Sequence, residues 1–320
     1  MKIHEKLENV KKLGIAGHVR PDGDCVGSCM ALYNYVIDNY KDIDTHVYME
    51  KPTSEFNYIS NIDKIEEEVK DTDFDLFITI DVSDIQRIGI AGETFEKCDN
   101  TLCIDHHISN HGIAKENVII PNASSACEVL FGLLEEDKIS KNTAECIYTG
   151  IIHDTGVFKY SSTSAHTMNI AGKMMEKGID FQYIIDNSFY AKSYVQNQIL
   201  GRALLESIVF LDGKCIFSAV TKEEMKFYDV TPRELGGIVE QLRLTEGVEC
   251  AIFIYEIGEL EYKVSLRSVE YIDCNEVVSH FGGGGHVRAA GCTMKGTIHD
   301  VVNNLAEYIE DQFLNGVKHV

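Results

Sequence analysis

The sequence predicts an α/β protein with a parallel-sheet N-terminal domain covered by helices and a smaller mixed α/β C-terminal domain, the active site lying in the cleft between them. Three observations predict the two folds. The 320 residues are enough for two domains of about 150 residues each. Through the first half, short β-rich apolar runs alternate with segments whose apolar residues recur every three to four positions, the pattern of a parallel sheet under helices. From about residue 187 the pattern changes to strands grouped around two helices.

In order, the apolar runs predict strands over 13–17, 45–49, 76–80, 101–104 and 118–120. Helical periodicity is read over 26–40, 126–136, 143–153 and 165–176. A polar helical stretch at 191–206 reads as the linker. Beyond it, strands are expected over 208–211, 215–221, 249–256 and 262–266, with helices over 232–243 and 301–313. The expected division is therefore 1–186, a linker at 187–207, and 208–320. No internal repeat or low-complexity tract interrupts it.

Composition narrows the partners. Twenty-nine Lys and Arg stand against 51 Asp and Glu, a net charge of −22. That field repels long polyanions and acidic membranes, so any nucleic acid handled here is expected to be short. No apolar run is long enough to span a bilayer, and the opening MKIHEKLENVKKLG has no signal-peptide apolar core. The ten cysteines are scattered without a C-x-x-C pair, which suits reduced thiols in a cytoplasmic protein.

Acidic and imidazole side chains collect where strands end. The first strand runs into His18-Val19-Arg20-Pro21-Asp22-Gly23-Asp24, and in an extended segment Asp22 and Asp24 project to one side. Taken alone, the segment reads as a polar loop with Asp capping the next helix. The third strand ends in Asp81 and the fourth in Asp105-His106-His107. An otherwise apolar helix ends on Asp154, where the negative end of the dipole disfavours a carboxylate unless a cation holds it. Open α/β sheets bind ligands at the C-terminal ends of their strands. Five carboxylates brought there repel one another unless cations neutralise them. Oxygen and imidazole donors without thiolate suit manganese or magnesium, and a shared carboxylate holds two ions about 3.5–4 Å apart in phosphoryl-transfer sites.

In the second half, Gly282-Gly283-Gly284-Gly285-His286 precedes Ala289-Ala290-Gly291. Consecutive glycines let backbone N–H groups approach an anion, and Arg267, within Ser265-Leu266-Arg267-Ser268, offers a planar fork for phosphate oxygens.

Together these motifs resemble the DHH phosphoesterase superfamily. The order H-x-x-P-D-G-D-x-x-G-S, strand-end Asp81, D-H-H and D-T-G-x-F-x-Y-S matches its N-terminal domain, and the glycine run with its alanines matches the DHH-associated C-terminal domain. A two-domain chain without further modules is similar to the NrnA-type branch, which acts as oligoribonuclease and phosphatase of 3′-phosphoadenosine-5′-phosphate (pAp).

The resemblance implies two manganese ions, with magnesium as a substitute. His18, Asp22 and Asp81 would hold one ion; Asp24, Asp81, His106 and Asp154 would hold the other. His107 would face the scissile phosphate as a catalytic group, with Asp105 orienting a ligating imidazole. Arg267, Ser268, Gly283, Gly284, Gly285 and His286 would grip substrate. Short oligonucleotides and pAp would be hydrolysed; phosphodiesterases of cyclic or linear dinucleotides share these motifs and are the alternative. A non-catalytic nucleotide sensor of the same fold is expected to lack some of the ligands, and all are present. A homodimer is left open. Cys25, at the start of the first helical pattern, reads as a buried small thiol.

Overall fold

The computed structural model describes residues 1–70 and 72–315; the last five residues of the expected second domain, 316–320, lie outside the described residues. The chain divides into two compact units, Met1–Ala191 and Lys192–Val320.

The first unit is built on six parallel strands: β1 (Lys12–Ala16), β2 (Asp44–Tyr48), β3 (Ile65–Glu66), β4 (Leu76–Ile80), β5 (Thr101–Asp105) and β6 (Glu116–Ile119), in the order β3-β2-β1-β4-β5-β6. The five expected strands are all present; β3 is a two-residue edge, too short for periodicity to reveal. β4 and β5 are buried along their whole length, as strands covered on both faces must be. The sheet grows outward from β1 to β3, then returns to place β4 on the other side of β1. This reversal leaves a crevice beyond the C-terminal ends of β1 and β4.

Helix Gly23–Asn39 starts three residues before the expected position because the Asp22 side chain caps it, accepting the N–H groups of Asp24 and Cys25 at 3.1 Å each. Asp24 therefore stands in the first helical turn. The expectation that Asp22 and Asp24 share one side of an extended segment is corrected: a helix start brings them near each other. This helix crosses helix Lys141–Asp154 closely. A Cβ on Gly27 would lie 2.6 Å from the Cys146 carbonyl, and one on Gly150 would lie 2.5 Å from Asp24 Oδ1. Only glycines permit that approach, which brings Asp24 next to the helix that ends on Asp154.

The second unit carries a mixed sheet in the order β11-β12-β10-β9-β8-β7. Its strands are β7 (Ile208–Phe210), β8 (Cys215–Val220), β9 (Cys250–Gly258), β10 (Glu261–Ser268), β11 (Gly284–His286) and β12 (Ala289–Lys295). Among the described residues of this sheet only the β8–β9 pair is parallel. One face is covered by helix Ile298–Asn315 through Val301, Leu305 and Ile309.

Three features differ from the sequence reading. The helix expected over 232–243 occupies only Ile238–Arg243, because Gly237 adopts a left-handed φ of 85° immediately before it. The helical stretch expected as the linker forms helix Tyr194–Leu205, which buries Ile199 and Ala203 in an apolar cluster with Leu242 and Phe253 and so falls within the second unit. Finally, β11 and β12 pair as strands where a glycine loop was expected.

Candidate active site

The C-terminal ends of β1 and β4 deliver His18 and Asp81. His18 Nε2 lies 3.5 Å from Asp81 Oδ2 and 3.7 Å from Asp22 Oδ2. The other Asp81 oxygen faces the opposite way: Oδ1 is 3.7 Å from His106 Nε2 and 3.5 Å from His107 Nδ1. His106 Nε2 also lies 3.0 Å from Asp154 Oδ2 and 3.9 Å from Asp24 Oδ2. All eight residues of the expected constellation thus meet at one sheet edge, with Asp81 between two groups of donors.

Buried carboxylates crowd this edge. Burial pushes the Asp81 carboxyl up, the His18 hydrogen bond pulls it down, and the charges of Asp22 and Asp154 push it up again, for a net rise. Asp24, fully buried, is raised by burial and by Asp81 and Asp154. Its oxygens also accept the N–H groups of Ala126 at 2.5 Å and Cys127 at 3.0 Å, at the start of helix Ala126–Leu133. Burial opposes charge on the His106 imidazole, but the Asp154 hydrogen bond and the surrounding carboxylates raise its pKa above the ordinary value.

Asp105 is fully buried and its side chain reaches the donor groups through His107. Its Oδ1 accepts His107 Nδ1–H at 2.8 Å and the backbone N–H groups of His106 and His107 at 2.8 and 3.3 Å. The imidazole it orients is therefore His107, whereas the sequence reading had it orient a metal-ligating ring. The geometry follows from the tight loop after β5, which folds the carboxylate back onto its own next two residues. Asn110, which the sequence reading missed, completes the arrangement by donating to Asp105 Oδ2 at 2.6 Å and to the Val82 carbonyl at 3.0 Å. A lone Asn five residues beyond the motif carries no signal of that contact.

The C-terminal residues lie on β10, β11 and the turn before β11. Arg267 donates through Nε to Glu240 Oε1 at 2.6 Å. The Ser268 hydroxyl donates to the Ile272 carbonyl at 2.6 Å, so it pins the turn after β10. The glycine run differs from the expected open phosphate nest. Gly282 and Gly283 donate their N–H groups to Ser279 and Val278, and Gly285 donates to Asn275 Oδ1 at 2.9 Å. Two of the glycines are required by close packing: a Cβ on Gly283 would lie 2.5 Å from both Cys292 Cβ and the Gly291 carbonyl, and one on Gly285 would lie 2.5 Å from the Ala289 carbonyl. Gly284 and His286 are exposed on the edge strand. Glu249, also missed, accepts the N–H groups of Glu270, Tyr271 and Ile272, fixing the turn that follows Arg267 and Ser268.

Residues 12–151 match the model of the DHH family, N-terminal domain, and residues 212–315 match the DHHA1 domain. The chain is a DHH–DHHA1 protein. It is 26% identical over 290 residues to the bifunctional oligoribonuclease and PAP phosphatase NrnA of Thermus thermophilus, covering 88% of this chain and 84% of that one. The NrnA protein of the same description from Mycoplasma genitalium is 26% identical over 327 residues, covering 96% of this chain and 98% of its own. Among solved structures, an exopolyphosphatase-related protein from Bacteroides fragilis superposes with a TM-score of 0.85 at 26% identity, covering 97% and 95% of the two chains.

The residues of the DHH unit fit a divalent cation. Asp81 Oδ1 is buried without a hydrogen-bond partner, although it faces two imidazoles. Donor atoms of Asp81, His106 and His107 lie within 4.8 Å of one another, as do those of Asp24, His106 and Asp154 and those of His18, Cys25 and Asp81. The last group brings the Cys25 thiol to the site's floor, where it accepts the His18 backbone N–H at 3.2 Å. Burial pushes that thiol's pKa well up, so it serves as a neutral packing group. All ten cysteines are free and buried. Among the described residues no helix is long and apolar enough to cross a membrane.

Proposed function

We propose that the protein is a manganese-dependent phosphoesterase that hydrolyses short oligonucleotides to mononucleotides and pAp to AMP and phosphate. The observation that carries this reading is the position of Asp81, whose two oxygens face two separate donor groups. His18, Asp22 and Asp81 would hold one ion, and Asp24, Asp81, His106 and Asp154 the other. Two bound cations would supply an activated water and neutralise charge on the phosphate.

The remaining work falls to side chains. His107, fixed by Asp105, is assigned to protonating the leaving oxygen. Arg267, Gly284 and His286 are assigned to holding the rest of the nucleotide, with Gly283, Gly285 and Ser268 shaping that edge. The NrnA relatives support the substrate class. The charge of −22 supports the length limit, since contacts lacking Lys or Arg gain nothing from counterion release on a long strand.

The test is a manganese-supplemented assay against pAp, pApA, short RNA, cyclic dinucleotides and a long single strand. Rapid turnover of pAp and of chains of about two to five nucleotides, lost in Asp81→Asn together with bound metal, is expected. Preferential cleavage of a cyclic dinucleotide moves the assignment to the cyclic-dinucleotide phosphodiesterases. Near-normal hydrolysis by Asp81→Asn with full metal content refutes the bridging role.

A further inference from the structure

Glu240 holds two arginines at once. From helix Ile238–Arg243, its Oε1 accepts Arg267 Nε at 2.6 Å and its Oε2 accepts Arg243 Nε at 3.0 Å. One carboxylate thus ties a guanidinium of β10 to one at the end of the neighbouring helix. Arg267 gives a further N–H to the Leu266 carbonyl at 2.9 Å. The second Nη of Arg267 and both Nη groups of Arg243 have no hydrogen-bond partner among the described residues, and both side chains are partly exposed.

Two consequences follow. Bonding through Nε sets the plane of each guanidinium and leaves its Nη edge for another acceptor, the edge that takes phosphate oxygens in a fork. The charges also add simply: two guanidinium groups and one carboxylate leave one net positive charge. A phosphate in an internucleotide linkage carries one negative charge and matches it. A terminal phosphate near neutral pH carries close to two and is matched only in part.

We propose that Glu240 is a specificity-determining positioning residue, and Arg243 a second phosphate-facing arginine, which together limit how far the DHHA1 unit favours a doubly charged over a singly charged non-scissile phosphate. This inference rests on the phosphoesterase reading above. Removing the Glu240 charge while keeping an oxygen for Arg267 shifts preference toward the dianion.

The experiment compares pApA with its 5′-methyl phosphate ester, which have the same scissile bond and differ by one charge at the far phosphate. In Glu240→Gln the kcat/KM ratio of pApA to ester is expected to rise about 5- to 30-fold, the effect of one unit charge at several ångströms near a protein surface. The change should lie in KM, with kcat and metal content unchanged. Glu240→Asp keeps the charge and should retain the wild-type ratio. Calorimetric binding of AMP and AMP methyl ester to the full chain reads the same preference without turnover. An unchanged ratio in Glu240→Gln by both measurements overturns the proposal, as does an equal rise in Glu240→Asp. If neither dinucleotide is cleaved by the wild type, the function reading fails, and the binding ratio still decides the role of Glu240.

Discussion

His107 donates its Nδ1–H to Asp105 at 2.8 Å, two residues back along the same loop. Burial pushes the Asp105 carboxyl up, but the His107 and Asn110 hydrogen bonds outweigh it and hold the pKa below the ordinary value. An ionised Asp105 has only acceptors, so the proton of that bond belongs to Nδ1 and His107 Nε2 is left to exchange protons with a ligand.

Asp105→Asn removes the charge that holds this proton in place, and the new amide can turn its NH₂ toward the ring. The expected outcome is a fall in kcat of about 10²- to 10⁴-fold, the cost of a misassigned imidazole proton. Bound metal should stay at its wild-type stoichiometry, measured on the same preparation, because the side chains bonded to Asp105 are those of His107 and Asn110 and not those of the residues assigned to the ions.

Removing divalent cations leaves the crowded carboxylates of Asp22, Asp24, Asp81 and Asp154 without neutralisation. Adding manganese to the chelated protein at about 100 times its dissociation constant should stabilise the fold by about 2.7 kcal/mol, visible as a rise in Tm. Asp81→Asn should lose most of that rise. A Tm indifferent to manganese in the wild type would argue against a resident cation.

Glu249 is buried and accepts three consecutive backbone N–H groups, of Glu270, Tyr271 and Ile272. Glu249→Ala strands those donors and should destabilise the DHHA1 unit by about 2–3 kcal/mol in denaturant unfolding. Substrate KM should rise as the turn following Arg267 loosens.

Gly283→Ala places a methyl group where Cys292 and the Gly291 carbonyl already stand. The cost should be about 1–3 kcal/mol. Hydrogen exchange at 284–286 should accelerate as β11 separates from β12, whereas exchange in β4 and β5 should be unaffected.

The acidic and imidazole residues gathered in the DHH unit were legible in the sequence because they sit at element ends. His18, Asp81 and Asp105 each follow an apolar strand run, and Asp154 ends an apolar helix, so a one-dimensional pattern marks the position of each in the fold. The same logic was weaker in the DHHA1 unit. The strands β11 and β12 contain glycines and alanines that carry no β signal, and their pairing depends on backbones approaching too closely for a Cβ. The short helices Lys222–Tyr228 and Cys274–Ser279 fall below the length at which periodicity registers.

By itself, the sequence determined the alternation that makes a parallel sheet and the strand ends that carry the acidic and imidazole groups. Periodicity and composition are local, and these properties are local too. Only the tertiary structure decided which way each carboxylate turns. Asp24 is drawn in by two N–H groups of a helix that begins 102 residues later, at Ala126. Asp105 bonds to His107 because its loop is tight, and Glu240 reaches Arg267 across 27 positions. Those choices depend on where buried hydrogen-bonding groups find partners, and a buried carboxylate takes its partners from whichever segment the fold packs against it.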